Sequence, residues 1–136
     1  MLLAAPSSDA ARLAGIDGTY RHAGRVAALL EVRRVPEGYA VKLQGGASPE
    51  AGAGAAADCV ILAHGPAKGQ RFEAGFDPVE TDAFSYGAEQ AARDHRVLRI
   101  VFGRGAAQVT EADVFGYCGL GATFLGRYRL VRGSRR

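Results

Sequence analysis

Tryptophan is absent from the 136 residues, methionine occurs once, and of 17 basic residues only Lys42 and Lys68 are lysine. No apolar run approaches the roughly 18 residues of a membrane-spanning helix. Neither of the two cysteines belongs to a C-x-x-C pair, which argues against thioredoxin chemistry and against a zinc finger. No Lys-Ser or Lys-Thr follows a glycine-rich turn, so a P-loop is excluded. Gly119 and Gly121 form a G-x-G, but the third glycine is not at dinucleotide-binding spacing. Too little chain follows for a helix and a second parallel strand. His22, His64 and His95 are isolated, without the i, i+2 or i, i+4 spacing that would let them share a metal with Asp58 or Asp94. No metal or cofactor is therefore expected.

What is present suits one globular domain. Hydrophobic residues make up 48%, enough for a core, and the net charge of +3 is small. The Ala, Gly and Arg enrichment suits a GC-rich genome and carries little functional weight. The start, "MLLAA" followed by Pro6, Ser7 and Ser8, reads either as a cytoplasmic beginning or as the end of a signal peptide. The second reading implies a periplasmic or secreted protein. In that setting Cys59 and Cys118 are expected to form one structural disulfide, two buried free thiols being the alternative.

Residues 1–16 read as an extension in which Ser7, Ser8 and Asp9 cap a short helix, Ala10 to Ala14, ended by Gly15. Residues 17–132 read as strands. Val26, Ala28, Leu30 and Val32 alternate with Glu31 and Arg33. Pro36-Glu37-Gly38 then turns the chain into a second alternating run through Tyr39, Val41 and Leu43. Residues 45–57 lack large side chains and are expected to form a mobile loop. "DCVILAH", "QRFEAGF", "AFSYG", "RVLRIVF" and "AAQVTEADVFGY" continue the series, and residues 89–94 fit one helical turn or a loop. From Thr123, Phe124, Gly126, Tyr128 and Leu130 share one face, and Leu125, Arg127, Arg129 and Val131 the other. Residues 133–136 form a basic tail. About eight short strands at this spacing predict an all-β fold, an antiparallel up-and-down barrel. The echo of Gly18-Thr19-Tyr20-Arg21 in Gly126-Arg127-Tyr128-Arg129 predicts that the first and last strands pair and close it.

Gly18-Thr19-Tyr20 on the first strand, with Arg129 on the last, resembles the lipocalin pattern of Gly-x-Trp near the start and Arg near the end. Tyr20 stands in place of the Trp. Size and cysteine pattern are also similar to small periplasmic β-barrel proteins, including bacterial lysozyme inhibitors, although their Ser-Gly-containing inhibitory loop has no counterpart. The resemblance implies a barrel architecture, not an activity.

No nucleophile–base pair stands out, so the expectation is a non-enzymatic, exported binding module for a protein partner or a small apolar ligand. The candidate contacts are Arg127 and Arg129 with the acidic loop carrying Asp77, Glu80 and Asp82. Arg132, Arg135, Arg136 and Tyr128 raise nucleic-acid binding, which the scatter of the remaining charges disfavours. An enzyme assembled around Cys118 or a histidine, and a structural protein of an envelope, are the alternatives.

Overall fold

A computed structural model describes residues 15–47, 59–82, 85–118 and 121–133. The helix expected over 10–14 and most of the loop 45–57 lie outside them. The elements are β1 (Gly18–His22), β2 (Ala27–Val35), β3 (Gly38–Ala47), β4 (Cys59–Gly65), β5 (Ala67–Lys68), β6 (Arg71–Gly75), β7 (Val79–Glu80), β8 (Ser85–Tyr86), α1 (Ala88–Asp94), β9 (Val97–Gly103), β10 (Ala106–Ala112) and β11 (Gly126–Gly133).

All pairings are antiparallel, and the main sheet runs β4-β3-β2-β1-β11-β10-β9-β6-β5. Its two ends, β4 and β5, are consecutive in the chain, so the sheet curls into a nearly closed barrel. The seam runs between β4–β5 and β6. Ala63 bridges Phe76 on one side of Pro66, and Ala67 pairs with Phe72 on the other, in one continuous register. Between them, residues 64–66 and 73–75 face each other without ladder pairing. Pro66 has no N–H to donate, which explains why the ladder lapses there. Counted as one interrupted strand, β4 and β5 bring the barrel to eight.

The period-2 pattern sets the inside and the outside. Leu30, Leu43, Ile61, Phe72, Leu98, Ile100, Phe102, Tyr20, Tyr128 and Phe124 are almost fully buried and fill the interior. Two of these tyrosines repeat one device. The Tyr20 hydroxyl donates to the Ile16 carbonyl at 2.7 Å, and the Tyr128 hydroxyl donates to the Phe124 carbonyl at 2.8 Å. Each bond reaches four residues back and ties the chain entering a strand to the strand itself. Because β1 and β11 are antiparallel neighbours, with His22 opposite Tyr128, the two ties anchor opposite ends of one strand pair.

The ends of the barrel differ. One carries tight hairpins at Pro36-Glu37, Gly69-Gln70 and Arg104-Gly105. At the other, the long connections after β6 and β10 fold inward. Tyr117 packs edge-on against Phe76 (5.0 Å) and Tyr86 (4.7 Å), and its hydroxyl donates to the Val60 carbonyl at 2.7 Å. The Arg96 guanidinium lies 5.5 Å over the Tyr117 ring and pairs with Asp94 and Asp113. The Cys59–Cys118 disulfide links β4 to the same loop, with Cα atoms 5.4 Å apart.

Several boundaries differ from the sequence reading. Residues 45–47 continue β3 instead of entering the loop, because glycine tolerates the bulge opposite Ala27 and Ala28. Gly45 has φ +108, and a Cβ there would lie 2.2 Å from the Ala27 carbonyl oxygen. Residues 88–94 are helical, with Arg96 fastening the segment that follows. β10 stops at Ala112, and β11 starts only at Gly126, so Val114 to Tyr117 and Thr123 to Leu125 belong to the connection.

Candidate functional site

The outer faces of β1 and β11 carry a continuous basic surface. Arg127 and Arg129 alternate with Gly126, Tyr128 and Leu130 on β11 and point outward, about 7 Å apart by the rise of a strand. Arg21 on β1 lies directly opposite Arg129 in the ladder. Like charges placed opposite each other across a sheet destabilise it. No carboxylate among the described residues comes within 4 Å of Arg21, Arg127 or Arg129 to offset that cost. Glu31 on β2 is the diagonal neighbour of Arg21, but it stands opposite Lys42. Leu125 (48% exposed) and Val131 (53%) flank the arginines on the same face, and Phe115 in the connection after β10 is 89% exposed.

A neighbouring arginine shows the contrasting arrangement. Arg99 on β9 lies between Glu73 on β6 and Glu111 on β10, and pairs with both. These carboxylates push its already high pKa further up, the hydrogen bond to Glu73 contributing most. Its charge is neutralised within the sheet, whereas that of Arg21, Arg127 and Arg129 is not.

Asp77, Glu80 and Asp82 fall elsewhere. Asp77 follows β6 at the seam, where its N–H donates to the Leu62 carbonyl at 2.6 Å. Its carboxylate pairs with the His64 ring at 2.7 Å. Glu80 and Asp82 follow, Glu80 in the short β7–β8 ribbon. In the strand order β11 lies three strands from β6 by one route and four from β4 by the other, so the acidic segment and the arginine face occupy opposite sides of the barrel. One compact footprint cannot use both.

The other sequence candidates are distributed as follows. Gly18 and Tyr20 on β1 pair with Gly133 and Leu130 of β11, and Gly126 opens β11 beside His22. The His22 ring lies edge-on to Tyr128 at 5.0 Å. Its Nδ1 accepts from the Gly24 N–H, which leaves Nε2–H to donate to the Leu125 carbonyl at 3.0 Å. Cys118 is tied up in the disulfide, so it has no thiolate to offer. His64 is exposed, and its hydrogen bond to Asp77, aided by the charge, raises its pKa. No cluster of three or more His, Cys, Asp or Glu suited to a metal occurs among the described residues. No helix among the described residues is long and apolar enough to cross a membrane.

Arg21 joins the candidate contact residues through its place opposite Arg129, which the sequence reading omitted. The signal was the echo itself: once the two motifs are paired antiparallel, Arg21 must come alongside the arginines of β11.

No family model, no curated protein and no solved structure matches the chain.

Proposed function

We propose that the protein is a non-enzymatic, exported binding module that engages a protein partner carrying an acidic face. The observation that carries this reading is the unneutralised set Arg21, Arg127 and Arg129 on the outside of the β1–β11 pair. Arginine forms paired hydrogen bonds with carboxylates, and a one-sign patch steers encounter with an opposite one. The filled interior favours surface contact over carriage of an apolar ligand inside the barrel. The burial of Tyr128 and Tyr20 takes the aromatic rings of the strand pair away from the arginines, where single-stranded nucleic acid would need them to stack. The disulfide supports an oxidising compartment, the periplasm or outside the cell.

The test is capture of partners from periplasmic or host extracts by the wild type and by Arg127→Gln/Arg129→Gln. The variant is expected to lose capture by about tenfold or more while its melting temperature stays within a few degrees, because both side chains are exposed. Equal capture by both proteins at low and high salt overturns the assignment of this face.

A further inference from the structure

The interrupted seam carries a second feature, independent of the arginine face. A groove of about 540 Å³ lies over it, lined by Pro66, Lys68, Arg71, Glu73, Ala74, Gly75 and Val97. The register accounts for its shape. Pro66 and Lys68 on one side face Glu73 and Arg71 on the other. Gly75, beside Val97 of β9, has no side chain, so the floor is low there. Where the ladder lapses the strands are not drawn together, and half-buried Ala74 is reached from outside.

The charge in the groove is unbalanced. Lys68 and Arg71 are direct ladder partners, again two like charges set opposite each other. Neither has a carboxylate within 4 Å among the described residues. Glu73 is held by Arg99 at 3.1 Å, and nearby His64 by Asp77 at 2.7 Å, so neither acid is directed at the pair. The remaining walls, Pro66, Ala74, Gly75 and Val97, are apolar. Two cations at one end of a concave surface whose one acid, Glu73, is held by Arg99 and whose other walls are apolar match an organic anion with an apolar body.

We propose that this groove is a binding site for small amphiphilic anions, a carboxylate or sulfonate head on Lys68 and Arg71 with an aliphatic or aromatic body along Pro66, Ala74 and Val97. An anion placed between the cations relieves their repulsion, and the body removes the exposed apolar wall from water.

The probe is 8-anilinonaphthalene-1-sulfonate, titrated into the folded, oxidised protein and followed by fluorescence. Saturable one-to-one binding is expected, displaced by decanoate and not by decyltrimethylammonium or by inorganic phosphate alone. Lys68→Gln/Arg71→Gln is expected to weaken it about tenfold, the sum for two partly exposed charge-assisted contacts. Gly75→Val is expected to weaken it similarly by filling the floor. A Cβ at Gly75 meets only the Arg96 carbonyl oxygen at 3.5 Å, an ordinary contact, so this second variant is expected to fold, which an unchanged melting temperature checks. Arg127→Gln/Arg129→Gln serves as the control and should bind as the wild type does, which separates this site from the partner face. Unchanged affinity in Lys68→Gln/Arg71→Gln, or equal displacement by the cationic detergent, overturns the proposal. Full displacement by phosphate alone also overturns it, because the apolar wall then plays no part.

Discussion

Three buried hydroxyls illustrate how single residues act in this protein. Tyr20, Tyr117 and Tyr128 place their rings in the core and spend each O–H on a backbone carbonyl. Replacing Tyr128 by Phe keeps the packing and strands the Phe124 carbonyl. We expect a loss of about 1–2 kcal/mol in urea unfolding, the usual cost of an orphaned buried acceptor. Burial also resists ionisation. It pushes the Tyr20 pKa up to about 12, with help from the Asp17 charge, and those of Tyr117 and Tyr128 upward as well. Above pH 10 the unfolded chain releases these protons while the folded one keeps them. Stability should therefore be unaffected by these groups below pH 10 and fall steadily above it. Tyrosinate absorbance and circular dichroism followed together should show these tyrosines ionising only as the fold is lost. Ionisation of all of them in a folded protein would contradict this account. His64 has the opposite kind of partner. Its raised pKa means that the pair with Asp77 stabilises below pH 6.5 and loses that contribution as pH rises through the raised value. Both groups are exposed enough that the effect should stay under about 1 kcal/mol.

At the scale of elements, the β1–β11 pair depends on a close approach. Gly126 has φ +128, and a Cβ there would lie 2.7 Å from Nε2 of His22. The His22 ring is in turn held on both nitrogens, by the Gly24 N–H and the Leu125 carbonyl. Gly126→Ala should cost about 2–3 kcal/mol, from backbone strain together with displacement of the ring. In a His22→Ala background the same change should cost about 1–2 kcal/mol, because only the strain remains. A double-mutant cycle by chemical denaturation measures the difference. Strict additivity would show that the imidazole is not what excludes the side chain.

For the whole molecule, the disulfide spans 59 residues of sequence and joins β4 to the connection between β10 and β11. Both partners sit next to the Tyr117 cluster, so the link holds the long-loop end against the barrel near the seam. Restriction of the unfolded chain by a loop of this length contributes on the order of 4 kcal/mol. Cys59→Ser/Cys118→Ser should lower stability by about that much, less whatever the Arg96, Tyr86 and Phe76 contacts with Tyr117 retain. A thiol assay on the unfolded, unreduced protein should find no free sulfhydryl. One or more free thiols would remove the disulfide and, with it, the main support for an oxidising compartment.

The alternation of apolar and polar residues was enough to determine strands, their inner and outer faces, and the hairpin at Pro36-Glu37, because the period of two is a local property of extended backbone. It was also enough to place Phe124 and Tyr128 inside and Arg127 and Arg129 outside, and two cysteines left only one pair to form. Residues 88–94 stayed open between helix and loop, since so short a segment takes its conformation from what it packs against. The glycines at 45 and 46 looked like loop for lack of side chains, yet β2 recruits them into its ladder through a bulge. Tertiary structure alone decided which distant residues share a surface. Closing the strands into a ring put Arg21 opposite Arg129, set the acidic segment on the far side from both, paired His64 with Asp77, and opened the groove where Pro66 interrupts the last seam. Those relations follow from strand order and register around the barrel, which depend on every pairing at once and are written in no single stretch of the chain.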